Sequence, residues 1–316
     1  MTPPTAINFD RQKMATKPVV FVIGASGLIG SATVQALAAK YTEQVEIRAG
    51  VRNPDKAVRL KGISGITVVQ ATMGDREGLK DALKGVDNLF IVTPGADDCD
   101  QLAISTAEVA KDVGVKFIMI VSLHIAMVEN MTNTVLGAPF AALEEAIKKL
   151  GVPFAILRLP DFMDNLWQHK RTIVGQGVIH AARNLETPYG SISVEDAGKA
   201  AATILIDPSK HAGKTYCLVS DCFSYDDIVK MFSEALRKEI KYNQLSIEDL
   251  KKRLTAAQLP QRITDGLLEF AKLSVGSNVS ATLQEKEAVT PDYEMITGEK
   301  PTTVKAWIEK NAPGFQ

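Results

Sequence analysis

The sequence predicts a doubly wound α/β fold, a parallel sheet covered by helices on both faces. Three observations predict it. Short apolar runs, mostly β-branched, recur through the first half of the chain, and amphipathic stretches separate them. A glycine triplet closes the first run and opens the first helical pattern. Runs that are apolar almost throughout must be buried on both faces, and parallel sheets achieve this with crossover helices.

The elements follow in order. "PVVFVIG" (18–24), "QVEIRAGV" (44–51), "GITVVQAT" (65–72), "VDNLFIVTP" (86–94), "VKFIMIVSL" (115–123) and "VPFAILRLP" (152–160) read as strands. "LIGSATVQALAAK", "DREGLKDALKG" and "DQLAISTAEVAKDVG" read as the helices between them. Beyond 160 the alternation loosens. "DFMDNLWQHKRTIVGQGVIHAA" reads as a short helix and a strand, and "SVEDAGKAAATILID" as a helix with an aspartate in its first turn. "SYDDIVKMFSEALRK" and "SIEDLKKRLTAAQL" open on Ser with an acidic residue three positions on, a capping-box signature. "QRITDGLLEFAKL" is a further helix. The organisation expected is a flexible polar arm over 1–16, the doubly wound domain over 17–160, and a smaller helix-rich region over 161–316 interleaved with that core. A cleft between the two larger parts is the expected binding place.

Composition narrows the function. The chain has 36 Lys+Arg against 37 Asp+Glu, so no general attraction to nucleic acid or anionic lipid is expected. The N-terminus has no apolar signal region, and no apolar run reaches the ~18 residues of a membrane span. Cys99, Cys217 and Cys222 are few and lack metal-ligand spacing, which fits a reduced compartment and no metal site. A cytoplasmic location is the expectation.

Gly24-x-x-Gly27-x-x-Gly30 sits at the first strand-to-helix turn. Glycines there permit a tight turn and close backbone approach, and the helix N-terminus offers N–H groups to a pyrophosphate. Gly24, Ala25, Ser26, Gly27, Leu28, Ile29 and Gly30 are therefore expected to bind a dinucleotide. An NAD site usually carries a carboxylate at the tip of the second strand. Here that tip runs into "GVRNPDK", with Arg52 and Lys56 and no acid, which suits the 2′-phosphate of NADP(H). Met73, Gly74 and Asp75 follow the third strand, where the adenine is covered. Thr93, Pro94, Ser122, Pro160 and Phe162, at or near the later strand ends, complete the expected cofactor contacts.

"GASGLIG", "VRNPDK", "GDREGLKDALKGVDNLFIVTP", "GVPFAILRLPDFMDNL", "SVEDAGKAAATILID" and "ITGEKPTTVKAWIEKN", taken as an ordered set, resemble the NmrA-like group of atypical short-chain dehydrogenases/reductases. The resemblance implies a Rossmann domain preferring NADP(H) and a cleft facing a small C-terminal region. It also implies one of two functions. Some members reduce quinones, dyes or phenylpropanoid-type substrates, and others bind dinucleotide without clear activity and act through protein partners.

Whether this chain does chemistry is a separate question. No tyrosine is followed four residues on by lysine, so the usual acid dyad is absent. By spacing, the position where many relatives carry His or Lys falls on Phe140, although Glu144 remains on that helix. Ser122 and His124, just past the fifth strand, are the candidate catalytic pair, His124 because its natural pKa lies near neutrality. His169, His180 and His211 read as surface, loop or turn residues. Phe162 and Met163 would lie beside the nicotinamide or pack in the core, and Trp167 lines the cleft or is buried. Two functions stand open: an NADPH-dependent reductase of a small hydrophobic or aromatic, quinone-like substrate, and an NADP(H)-sensing regulator with a protein partner.

Overall fold

The computed structural model describes residues 17–124, 132–275 and 289–316. The arm expected over 1–16 lies outside the described residues. The main sheet takes β1 (Val19–Ile23), β2 (Glu46–Val51), β3 (Ile66–Gln70), β4 (Asn88–Ile91), β5 (Phe117–Leu123) and β6 (Phe154–Leu159) from the six expected runs. A seventh strand, β10 (Lys214–Cys217), joins from beyond residue 160. All pairings are parallel, in the order β10-β6-β5-β4-β1-β2-β3. The strand order reverses between β1 and β4, and open α/β sheets bind ligands outside the strand ends at such a point.

Alternation along each strand divides the core in two. Val20, Val22, Ile47, Ala49, Met119 and Leu157 face one way, against α1 (Leu28–Lys40) and α7 (Val194–Ile206). Phe21, Ile23, Leu89, Ile91, Ile118 and Ile156 face the other, against α3 (Arg76–Ala82), α4 (Cys99–Asp112) and α5 (Gly137–Lys149). The short α2 (Val58–Lys61) adds Leu60 to the first core. Helices α1 and α7 touch through small residues. A Cβ on Gly198 would lie 2.6 Å from the Ala32 carbonyl carbon, so their backbones meet only because that position is glycine.

The remaining elements lie beyond residue 160, and most of them form a third core. They are β7 (Asp161–Phe162), α6 (Lys170–Gln176), β8 (Val178–Ala181), β9 (Tyr189–Ile192), β11 (Asp221–Phe223), α8 (Tyr225–Leu236), β12 (Lys241–Gln244), α9 (Ile247–Ala256), α10 (Gln261–Val275), α11 (Asp292–Thr297) and α12 (Val304–Asn311). Met163, Leu166, Phe223, Phe232 and Trp307 bury together there. Leu250 and Ala271 belong instead to a small separate cluster, and Tyr293 and Ile296 to the first core. Trp167 stacks on Phe315 with centroids 4.4 Å apart. Ser224 and Asp227 form the reciprocal capping box of α8, whereas Ser246 caps α9 by accepting from the Asp249 N–H. Three segments of this half return to the main sheet: α7 covers one face, α11 packs Tyr293 and Ile296 into the same core, and β10 supplies an edge. β10 is hard to read as a strand because Lys214 and Thr215 are exposed and only Tyr216 and Cys217 are buried.

Candidate functional site

The glycine turn is built by three residues with three different reasons. Gly24 has φ +81°, and a Cβ there would lie 2.7 Å from the Val92 carbonyl oxygen. Gly30, inside α1, would drive a Cβ to 2.3 Å from the Gly24 carbonyl oxygen. These two are glycine because the protein itself fills the space. Gly27 differs. Its φ is −78°, it precedes the first residue of α1, and a Cβ would meet only the Gly24 carbonyl oxygen, at 3.3 Å. No side chain caps α1 at this end. The positive φ of the turn therefore belongs to Gly24, and the vacant space at Gly27 opens at the first turn of a helix whose leading N–H groups attract anions.

That space is part of a cavity of about 360 Å³ at the carboxyl ends of β1 to β4. Gly24, Ser26, Gly27, Arg52, Met73, Thr93 and Pro94 line it, all of them expected cofactor contacts. Gly50, Val51, Thr72, Gly95, Ala96 and Leu102 line it as well. Most of these six were legible as neighbours of expected strand ends. Gly50 had a second reason, since a Cβ there would strike the Phe21 ring at 2.3 Å. Arg52 is exposed just beyond β2 and has no ion-pair partner among the described residues.

The other expected contacts lie elsewhere. Ala25 is fully buried, its N–H donating to the Gly50 carbonyl. Leu28 is exposed and Ile29 is buried under α1. Lys56 ends a 3₁₀ turn capped by the Asn53 side chain and does not line the cavity. Gly74 takes φ +94° in the turn before α3, and Asp75 caps that helix by accepting from the Gly78 N–H. Pro160 and Phe162 are half-buried at the exit of β6.

The candidate catalytic pair turns inward. Ser122 is fully buried and donates to Glu144 Oε1 at 2.7 Å. The same carboxylate takes a two-pronged bond from Arg158, Nε to Oε1 at 2.8 Å and a terminal nitrogen to Oε2 at 2.6 Å. Burial alone would raise the Glu144 pKa, but the bonds from Arg158 and Ser122 hold it below its ordinary value. This network ties β5, α5 and β6 together. His124 is also buried, with Nδ1 2.7 Å from Cys217 Sγ on β10. Burial, with Asp292 nearby, pushes the Cys217 thiol up to about 12. Neither Ser122 nor His124 lines the cavity at the glycine turn.

A second cavity, of about 490 Å³, opens where the chain leaves β6. Asp161, Asn165, His169, His180 and Arg183 form a polar wall, and Leu250, Leu254, Leu267 and Phe270 of α9 and α10 face it. Helix α10 joins the two cavities. At its start Arg262 donates to the Ala96 carbonyl at 2.7 Å, on the first cavity's wall, and Leu267, Phe270 and Ala271 line the second. From 262 to 270 a helix climbs roughly 12 Å. His169 and His180 thus lie in this cavity rather than on a surface or loop, a placement their sequence context does not signal. Among the described residues no cluster of His, Cys, Asp and Glu has metal-binding geometry, and no helix is long and apolar enough to cross a membrane.

The chain is similar to known proteins. Quinone oxidoreductase 2 of Escherichia coli (strain K12) is 29% identical over 255 residues, spanning 79% of this chain and 86% of its own. The crystal structure of an NADPH-dependent quinone oxidoreductase from Escherichia coli, complexed with NADPH, matches with a TM-score of 0.76 at 25% identity, over 93% of this chain and 99% of that one. NmrA, a negative transcriptional regulator crystallised in complex with NADP, matches with a TM-score of 0.74 at 18% identity, over 94% and 96% of the two chains. That last likeness is one of fold. The model of the NmrA-like family matches residues 16–308, nearly the whole chain, and this protein belongs to that family.

Proposed function

We propose that this protein binds NADP(H) at the glycine turn and reduces a small quinone-like acceptor. The observation that carries the proposal is Gly27, the one glycine of the triplet that the protein's own packing barely restricts. Its open space at the start of α1 fits a pyrophosphate, and Arg52 at the tip of β2, without an ion pair among the described residues, fits the 2′-phosphate. Bound NADPH would supply hydride. The chain's residues would hold the phosphates on α1, set the adenine between the ends of β2 and β3, and shelter the acceptor from water beneath α9 and α10. A quinone that accepts hydride becomes a stabilised anion and takes its proton from water, so the inward placement of Ser122 and His124 is compatible with turnover.

The test is NADPH and NADH binding by titration, followed by NADPH oxidation with menadione. Tighter binding of NADPH with menadione-dependent oxidation supports the reading. A second reading has one observation in its favour: with Ser122 and His124 bonded inward, neither cavity gains a proton donor from them. Tight NADPH binding with no oxidation by any quinone would favour a cofactor-sensing regulator; the structural neighbour NmrA is described as a negative transcriptional regulator.

A further inference from the structure

The second cavity has a charge character that names its ligand. Its wall carries two arginines and one carboxylate, and that carboxylate is already engaged. Asp161 lies 3.7 Å from the Arg183 guanidinium. Arg183 is itself held between two rings, 4.1 Å from the Tyr189 centroid and 4.8 Å from that of Phe270. Arg253 stands at the edge of the cavity on α9, exposed, with no ion pair among the described residues. Its charge reaches inward, since it contributes to lowering both His169 and His180.

His169 is buried, and its Nε2 has no hydrogen-bond partner. Burial, helped by the charges of His180 and Arg253, takes its pKa down to about 4, so the ring is neutral near pH 7. The wall's net charge then comes from Arg253. Leu250, Leu254, Leu267 and Phe270 of α9 and α10 supply apolar surface beside the arginines. At about 490 Å³ the cavity lies within the ~300–1,000 Å³ of small-ligand sites.

We infer that this cavity takes a planar aromatic molecule bearing an anionic group, the ring lying against Leu250, Leu267 and Phe270 and the anion meeting Arg253. That the ligand is the hydride acceptor rests on the reductase reading; that the cavity selects anionic aromatics does not. An arginine without a carboxylate partner attracts an anion and repels a cation, and the apolar residues beside it favour an aromatic ring. Cationic dyes are therefore disfavoured acceptors, and carboxylated or sulfonated quinones are favoured ones.

The experiment separates the two readings. Calorimetric titration of the full chain uses three probes that accept no hydride: naphthalene-1-sulfonate, 1-naphthol, and trimethyl-1-naphthylammonium. The sulfonate is expected to bind roughly tenfold more tightly than the neutral ring, the usual size of one charge-assisted contact, and the cation most weakly. Arg253→Gln should remove that preference and leave naphthol binding unchanged. Arg253 is exposed, so the variant should fold. Ala257→Trp, also at an exposed position on the cavity rim, should weaken all three probes. Equal binding of sulfonate and naphthol to the parent would overturn the inference, as would a sulfonate preference that survives Arg253→Gln. The reductase reading is tested apart, by NADPH oxidation with 1,2-naphthoquinone-4-sulfonate against menadione. Oxidation of both without sulfonate preference keeps the reductase reading and overturns the assignment of this cavity to the hydride acceptor. Selective sulfonate binding without any oxidation sinks the reductase reading and keeps the site.

Discussion

The two cavities are made of different material. The one at the glycine turn is largely backbone and strand ends: Gly24, Gly27, Gly50, Gly95, and the residues that follow β2, β3 and β4. The one beyond β6 is side chains, brought together from β8, α9, α10 and the segment after β7. A backbone-built site depends on where the chain turns, and few residue types can substitute there. A side-chain-built site depends on which helices meet, and its chemistry changes with single substitutions. The first kind suits a cofactor, and the second suits a substrate that differs between relatives.

The sharpest way to break this contrast is at the glycines. Gly27→Val should leave the fold intact while weakening NADPH and NADH at least ~100-fold, because several charge-assisted phosphate contacts, each worth roughly 1.5–3 kcal/mol, are lost together. Gly24→Val and Gly30→Val should instead cost the fold, since their Cβ atoms would enter the Val92 and Gly24 carbonyl oxygens. Circular dichroism with cofactor titration separates the outcomes. A folded Gly27→Val protein with parental affinity would remove the phosphate-loop reading.

The side-chain cavity should respond to acid where the backbone cavity does not. His169 has its folded pKa lowered to about 4 from an ordinary 6.5. Between those values the unfolded chain binds a proton that the folded chain refuses. The stabilisation is therefore complete above about pH 6.5 and is lost as pH falls towards 4, by up to about 3 kcal/mol. His169→Gln should flatten that part of the profile in urea denaturation. Parallel slopes for parent and variant would mean that the ring is not held neutral by burial.

These same two cavities show what was legible in the sequence. The parallel sheet could be read because its strands are buried on both faces and so are apolar almost throughout; β10 could not, because half of it is exposed. Gly24, Gly27 and Gly30 stood out because their spacing reports backbone geometry. His169 and His180 did not, because nothing local says that α9 and α10 will fold over them. His124 was placed correctly at the end of β5, but its direction depends on Cys217, 93 residues away. Proximity along a strand end can be read from a pattern, and the way a side chain points into a distant partner cannot.

Arg52 sharpens the comparison at the boundary of the first cavity, where a side chain sets cofactor choice on a backbone frame. Its contact with a 2′-phosphate would be worth roughly 1.5–3 kcal/mol, a ten- to hundredfold preference for NADPH over NADH. Arg52→Ala should erase most of that preference and leave NADH affinity unchanged, as read by cofactor titration. Equal discrimination by variant and parent would place the phosphate elsewhere, and Lys56→Ala would then be the next variant to measure.

The smallest effect on turnover is expected at His124. Its ring is buried, with Nδ1 2.7 Å from a Cys217 thiol that burial keeps protonated, and it lines neither cavity. A group so placed supports β5 against β10. His124→Ala should lower stability by about 1–3 kcal/mol, through a lost hydrogen bond and a small void. It should change menadione-dependent NADPH oxidation by no more than about threefold, which is under 1 kcal/mol of barrier. NADPH affinity should stay at the parental value. The decisive quantity is kcat measured well below the variant's melting temperature, so that lost stability is not mistaken for lost chemistry. A fall of roughly 10²–10⁴-fold, the range for a general acid, would mean that His124 reaches the acceptor after all. In that case its bond to Cys217 must open during turnover, and Cys217→Ser, which keeps a partner for the ring, should then slow the reaction less than His124→Ala does.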